Sequence, residues 1–415
     1  MRDLRSLILL SFILLSVCSC KKESKELTAT PLIMNVGADA GTSSLNITSN
    51  TDWTITDDAD WITVNPASGS GNGTVSVTFL ENSTTNALTS SVTITGTGVD
   101  PVIVTVNQSA ASGPSVAVSW SRKADIPVAR GFLSPSAGVV NGKIYVTGGT
   151  SADGILNNVE EYDPASDSWS EKSPLLTQRW GHSTDVVDGK IYVMGGGGTA
   201  STDALASIEV YDPVLDEWAN VGNMNTPRLG FGSCVVNNKI YVVGGRTKEP
   251  SGDFLASVEV YDPAANTWTT KSPLPQARGY LSVTATSDYI YAIGGVGPDD
   301  ILPVGIIYKY DISADTWAQI SSMPYERWGI VSCLVDDMIV CIGGSSGPTD
   351  TGQSTVGVIF TQDDDFVATT GMSFGRFCSS VCVLNGKIYV FGGCTSPDPI
   401  YYPSSYTEEG VISQE

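Results

Sequence analysis

Six arginines, Arg130, Arg179, Arg228, Arg278, Arg327 and Arg376, recur every 49 or 50 residues, and aromatic residues follow several of them at Trp180, Tyr280, Trp328 and Phe377. A guanidinium offers five donors in a planar fork, and an adjacent ring offers an apolar face. Together they suit recognition of an acidic sugar or an acidic peptide, not bond breaking. The spacing has a structural reading too. A residue type that returns at a fixed slot also serves a hydrogen bond between repeats, and that reading has more weight for any single Arg.

Catalytic chemistry has few residues to draw on. His182 is the only histidine, so a three-His zinc site and a copper site of two imidazoles are excluded. A Ser-His-Asp triad would have to use His182, which sits at a repeat slot in Arg179-Trp180-Gly181-His182-Ser183. No Gly-Lys-Ser/Thr phosphate loop and no CxxC pair is present. Asp363-Asp364-Asp365 and Asp299-Asp300 could touch calcium, but short acidic loop runs are ordinarily solvated. Glu160, Glu209 and Glu259 are the carboxylates available for acid/base work. No catalytic residue, metal or cofactor is assigned.

The elements that must hold these residues follow from a repeat. Gly-Gly pairs begin at Gly148, Gly195, Gly244, Gly294, Gly343 and Gly392. Trp120, Trp169, Trp218, Trp268, Trp317 and then Phe366 each stand ten residues before one of the arginines. Between Arg and Gly-Gly lie an apolar stretch, a two-residue turn and a run such as Lys-Ile-Tyr-Val; the turns include Asn141-Gly142, Asp188-Gly189 and Asn385-Gly386, which are strong hairpin signals. A variable loop follows, then Val-Glu-Val-Tyr-Asp-Pro or a relative, then the Trp. Four strands in about 50 residues make a propeller blade, which cannot bury both faces alone.

The combination of Arg, Ile-Tyr-Val-x-Gly-Gly, Tyr-Asp-Pro and Trp in one register resembles the kelch repeat over residues 116–407. The resemblance implies an all-β chain with a six-bladed propeller, and 408–415 is expected to be a tail. Trp120 in Val118-Ser119-Trp120 matches a fourth strand whose first three are missing upstream. The last unit, from Arg376, has two strands and a third near Tyr402–Thr407 but no terminal Trp strand. The N-terminal strand is therefore expected to complete blade six. Blade five departs from the pattern at Phe360-Thr361-Gln362 and Phe366, and blade one carries two extra residues between Arg130 and Gly148.

Residues 29–110 carry no such repeat and read as short strands, a small Ig-like β-sandwich. Ser49-Asn50-Thr51-Asp52-Trp53, Trp61, Pro66-Ala67-Ser68-Gly69-Ser70-Gly71, Glu81-Asn82 and Val106-Asn107-Gln108-Ser109 resemble the BACON domain, whose name implies carbohydrate binding. Leu88 stands where that family commonly has Arg. Trp53 and Trp61 could stack on sugars, but the alternation around them favours a core role. The domain is expected to space the propeller from a membrane, with 111–115 as a linker.

Arg2 and Arg5 followed by the apolar run Leu7–Val17 read as an export signal over 1–19. Val17-Cys18-Ser19-Cys20 resembles the lipobox of bacterial lipoproteins, with Cys20 lipidated and 20–28 a tether. This implies an outer membrane lipoprotein, surface-exposed or periplasmic, attached to the membrane through its N-terminal lipid. The formal net charge of -22, with no Lys/Arg cluster beyond Lys21, Lys22 and Lys25, argues against a nucleic-acid partner, which needs a basic footprint. Cys234, Cys333 and Cys382 each lie six residues after an Arg, one slot filled three times, and read as buried thiols.

The loops 150–157, 197–205, 246–255, 296–304, 345–355 and 394–400 share a face with the arginines, and recognition is expected there. The first reading is a monomeric, non-catalytic binding module for a glycan or a protein. The alternative is a kelch enzyme resembling the sialic-acid mutarotases, with the Arg ring binding the anion and Glu160, Glu209 or Glu259 as acid/base.

Overall fold

Turn chemistry starts each blade. Asn141-Gly142, Asp188-Gly189 and Asn385-Gly386 all adopt left-handed backbone, with φ of 51° and 74°, 49° and 72°, and 54° and 71°. Two successive positive φ values match the right-handed twist of the flanking strands and set a tight hairpin. In the computed structural model, which describes residues 24–110 and 116–414 apart from 83, 85, 199–202, 299–302, 348–351, 363, 365 and 396–401, every hairpin of this kind joins the first and second strands of a four-stranded antiparallel sheet. The export segment, Cys20, the linker 111–115, Asp299, Asp300, Asp363 and Asp365 lie outside the described residues.

Five sheets run in chain order: blade 1 over 138–172, blade 2 over 183–223, blade 3 over 232–271, blade 4 over 282–322 and blade 5 over 331–369. Blade 6 is composite. Its strands are Ser380–Leu384, Lys387–Phe391, Thr407–Gln414 and, outermost, Val116–Lys123. First strands of neighbouring blades touch all the way round, and Ser380–Leu384 returns to Gly138–Val140. The six sheets therefore close into a ring. Apolar faces meet between blades, as where Val187, Met194 and Ile208 of blade 2 pack against Ile240, Val242 and Tyr261 of blade 3. Each such side chain contributes about 1.5–3 kcal/mol by leaving water.

A polar staple repeats between blades. Tyr162 Oη donates to Asp167 at 2.6 Å, and Asp167 also accepts from the N–H of Ala124 at 2.8 Å. Trp169 Nε1 donates to the carbonyl of Ala124 at 2.9 Å, with its ring 4.9 Å from that of Tyr162. Tyr211, Asp216 and Trp218 do the same on Ser173, and Tyr310, Asp315 and Trp317 on Ser272. Blade 5, with Phe366 in the Trp slot, lacks this set; Asp364 instead takes Lys309 of blade 4 at 2.9 Å.

Residues 408–414 are not a tail, and the third strand expected near Tyr402–Thr407 begins only at Thr407. Thr407–Gln414 is the third strand of blade 6 and pairs with Val116–Lys123 along its whole length. The stretch Thr407-Glu408-Glu409-Gly410 is polar and lacks the Val-Glu-Val-Tyr alternation of the other third strands. Glu408 and Glu409 are both buried. Gly410 replaces the usual Tyr and makes room for Trp120, whose ring would lie 2.8 Å from an added Cβ.

The N-terminal unit, described over residues 24–110, forms two sheets, one of four strands and one of five. It begins earlier than expected. Leu27–Thr30 pairs with Gly41–Ser49, and Asn50 bonds Glu26 and Ser24, so these residues are sandwich and not tether. Trp53 is a core residue, 4% exposed, with Nε1 donating to Gly71 O at 2.8 Å. Trp61 packs half-buried against the same core. Gly69 and Gly73 lie under the Trp53 ring with no room for a Cβ. Gly69→Ala is expected to destabilise the sandwich by about 1–3 kcal/mol through overpacking. Native-state hydrogen exchange should speed up in 41–49 and 73–79 while the blades keep their protection; unchanged exchange would mean the ring can step aside.

Candidate functional site on the loop face

The recurrent arginines are inside the protein. Arg130, Arg179, Arg228 and Arg376 are each 0% exposed. Arg179 Nη1 donates to Gly195 O at 2.8 Å, and its Nη2 pairs with Glu209. Arg130 bonds Gly148 O and pairs with Glu160 at 2.5 Å; Arg228 bonds Gly244 O and pairs with Glu259 at 3.0 Å; Arg376 bonds Gly392 O and pairs with Glu408. Burial pulls Arg130 below its ordinary value and pushes Glu160 above, and each charge opposes the shift of the other. These residues hold the scaffold and do not meet a ligand. The arginine side chain ties its own blade together. Its backbone carbonyl ties the ring, because Arg179 O accepts from Gly149 of the preceding blade at 2.9 Å, and Arg130 O closes the circuit with Gly393 at 2.9 Å. Gly148 has φ of 55°, and a Cβ there would stand 2.6 Å from that carbonyl of Arg179, so glycine is required.

In blades 4 and 5 the strand-three slot held elsewhere by Glu160, Glu209 and Glu259 carries Tyr308 and Gly357. Arg278, 1% exposed, bonds Gly294 O and Ile306 O and lies over the Tyr308 ring at 4.8 Å. Arg327, 7% exposed, lies over Tyr325 at 4.5 Å. At Arg278 a ring face stands where the other clamps place a carboxylate.

The chain then turns toward the axis. Phe132, Gly181, Gly230, Tyr280, Gly329 and Cys378 all have positive φ, between 47° and 61°. Gly181 N donates to Phe132 O, Gly230 N to Gly181 O, Tyr280 N to Gly230 O, Gly329 N to Tyr280 O and Cys378 N to Gly329 O, at 2.5–2.9 Å. Leu133 N to Cys378 O at 3.2 Å completes a hydrogen-bonded collar. The glycines make room for neighbours, since a Cβ on Gly230 would stand 2.9 Å from the Tyr280 ring.

On this collar the sequence-predicted aromatics converge. Trp180 lies 5.5 Å from Phe132, Phe132 6.4 Å from Phe377, Phe377 4.9 Å from Trp328 and Trp328 5.5 Å from Tyr280. Trp180, Tyr280, Trp328 and Phe132 are half-buried, so they form a floor across the axis. Beneath them only about 30 Å³ of apolar space remains.

One wall of the floor was not legible in the repeat. Arg246 sits over Phe254 at 4.5 Å and pairs with Glu249 at 2.6 Å, while Tyr280 Oη donates to Glu249 at 2.5 Å. Lys248 reaches Asp203 of the preceding loop at 3.2 Å. These loop residues carry no periodic signal; the Arg-x-x-Glu spacing was the only hint. His182 is 0% exposed and bonds Thr147 Oγ1 at 2.9 Å; burial first, and then Arg179, lowers its pKa to about 3. It packs as a neutral ring. Among the described residues no group of three or more His, Cys, Asp or Glu side chains converges as a metal site.

Comparison with known proteins agrees with this geometry. The KLHDC2/KLHL20/DRC7 Kelch-repeats domain model matches residues 114–245 and 181–393, and the Viral BACON domain model matches 26–111. The chain is 44% identical over 79 residues to the F-box/kelch-repeat protein At1g67480 of Arabidopsis thaliana, which is 19% of this chain and 20% of that protein. It is 40% identical over 75 residues to human Kelch-like protein 25, covering 18% of this chain and 12% of that one. The chain thus spans about a fifth or less of these relatives. The solved structure of YjhT has its fold, with a TM-score of 0.59 at 16% identity over 71% of this chain and 100% of that one. With that family model covering most of its length, and the Arg, Gly-Gly and Tyr/Trp slots filled in the structure, the chain belongs to the kelch-repeat family.

Proposed function

We propose that this protein is a cell-envelope lipoprotein, anchored through Cys20, whose propeller binds a glycan or protein ligand on its loop face without catalysis. The aromatic floor carries the reading. Trp180, Trp328, Tyr280 and Phe132 present half-buried rings on a rigid collar, walled by the ordered loop around Arg246 and Glu249. Large rings with two rotatable bonds bind at low entropic cost, and Trp is enriched among residues that dominate interfaces. Kelch-repeat proteins generally bind protein partners.

The test is retention of the full-length protein on glycan and protein arrays, followed by titration of the hits. Trp180→Ala with Trp328→Ala should weaken binding at least about tenfold with the ring still folded, as loss of central anchors does. No retention on either array, or unaltered affinity in the double variant, would count against the floor. Cys20→Ser should remove the protein from the detergent phase. Anomer exchange would require groups other than Glu160, Glu209 and Glu259, which are engaged in the clamps; an NMR assay showing rate enhancement would reopen it.

A further inference from the structure

Beyond the loop-face floor, the axis holds a second cavity. It measures about 440 Å³, is open to solvent, and takes its walls from the first strands of all six blades. Its lining is mixed: hydroxyls at Ser233, Thr284 and Ser332, and apolar groups at Val186, Leu334 and Val383. It has one carboxyl group, that of Asp185 of blade 2. Asp185 is only 6% exposed, and its Oδ2 has no hydrogen-bond partner. A buried carboxylate oxygen without a donor is costly, and native structures rarely leave one unless a ligand or water supplies it.

We propose that this axial cavity binds a primary ammonium carried on an alkyl chain, with Asp185 as its counter-ion. The ammonium has three donors. One meets the vacant Oδ2, and the cavity hydroxyls accept the others. The valine and leucine side chains suit the alkyl portion. A divalent metal is a poorer fit, because hard cations take six or more oxygen ligands and several carboxylates, and Asp185 is alone. The formal net charge of -22 also draws cations toward the protein.

The surroundings of Asp185 make the binding sensitive to pH. Burial raises its pKa to about 7, outweighing the lowering effect of the nearby Ser233 and Ser183 hydroxyls. The titratable neighbours add no charge near neutrality. Cys234 of blade 3 and Cys382 of blade 6 are pushed well above their ordinary value by burial, and Cys333 of blade 5 to about 12. Tyr192, its cross-strand partner, is also raised. An ammonium therefore binds to ionised Asp185 above about pH 7 and must displace a proton to solvent below it.

The probe is n-butylammonium, titrated calorimetrically into the full-length protein at pH 8.5 and pH 6, with n-butanol as the uncharged equivalent. A saturable single site is expected at pH 8.5. Affinity should fall about tenfold at pH 6, because a group with pKa about 7 is then about nine-tenths protonated. Asp185→Asn should cost at least about tenfold at pH 8.5. Equal binding of butanol, no effect of pH, or undiminished binding by the Asn variant would each overturn the assignment. The first two readouts need no variant and stand even if the substitution impairs folding. A short blocked peptide with one lysine distinguishes a protein side chain from a free amine as the source; failure of both probes refutes the site. Loss of the loop-face ligand would leave this result untouched, since the residues are separate.

Discussion

Truncation after Thr407 is expected to abolish cooperative folding of the ring. It removes seven of the eight residues of Thr407–Gln414, the strand that lies between Lys387–Phe391 and Val116–Lys123. Two edges would lose their N–H and C=O partners together, and Val116–Lys123 would have nothing to pair with. Arg376, 0% exposed, would lose Glu408 and remain as a buried charge without its anion. Breaking such a pair from one side costs about 3–5 kcal/mol by itself. That approaches the net stability of a whole domain, about 5–15 kcal/mol. Deleting 116–123 should do similar damage from the other end, since Val116 and Val118 are buried in the blade 5–blade 6 core. Trp120 adds less than a fully buried Trp would, being half-buried with Nε1 to Thr370 O at 3.3 Å. Thermal melting and size-exclusion chromatography read the result. A monomer with an unchanged melting temperature after either deletion would refute closure of blade 6.

Glu209→Ala is expected to be the most damaging single substitution among the clamps. Both partners of Arg179–Glu209 are 0% exposed, and Glu209 also accepts from Leu176 N at 2.8 Å. Removing the carboxylate leaves a guanidinium with no compensating charge, at a cost of about 3–5 kcal/mol. Arg179→Met with Glu209→Leu should recover much of that, because two buried charges are removed together and their desolvation cost with them. Arg278→Met should cost less than Glu209→Ala, since Arg278 has Tyr308 and backbone carbonyls in place of an ion pair. Denaturant midpoints at constant slope rank the three variants. If the double variant falls as far as Glu209→Ala, the pair is stabilising in its own right and not merely costly to break.

Much of the ring follows from local chemistry. Asn-Gly and Asp-Gly turns set hairpins because few residues tolerate positive φ, and alternating apolar runs set strands that must find a second face. Trp120 ahead of the first Gly-Gly announced the composite blade, since a fourth strand without its sheet has to pair somewhere. The third strand of that blade, expected near Tyr402–Thr407, lies at Thr407–Gln414, because Thr407, Glu408 and Gly410 break the Val-Glu-Val-Tyr pattern; only their partners, Arg376 and Trp120, explain them. The Arg slot itself was legible, but its direction was not. Periodicity places a residue at a strand end; it does not say whether the side chain points to solvent or back to Gly-Gly and Glu.

Most strands, the turns, the repeat register and the number of blades were thus legible along the chain, because they depend on backbone preferences and near-neighbour alternation; Leu27–Thr30 and Thr407–Gln414 were the exceptions. The tertiary structure alone decided which side chains meet. Closing six blades brings Trp180, Phe132, Phe377, Trp328 and Tyr280 from five blades onto one floor. It also leaves Asp185 alone in an axial cavity, among hydroxyls and thiols donated by strands that lie far apart along the chain. Convergence of this kind depends on long-range geometry, and a carboxyl acquires a raised pKa from what surrounds it in space and not from its neighbours in sequence.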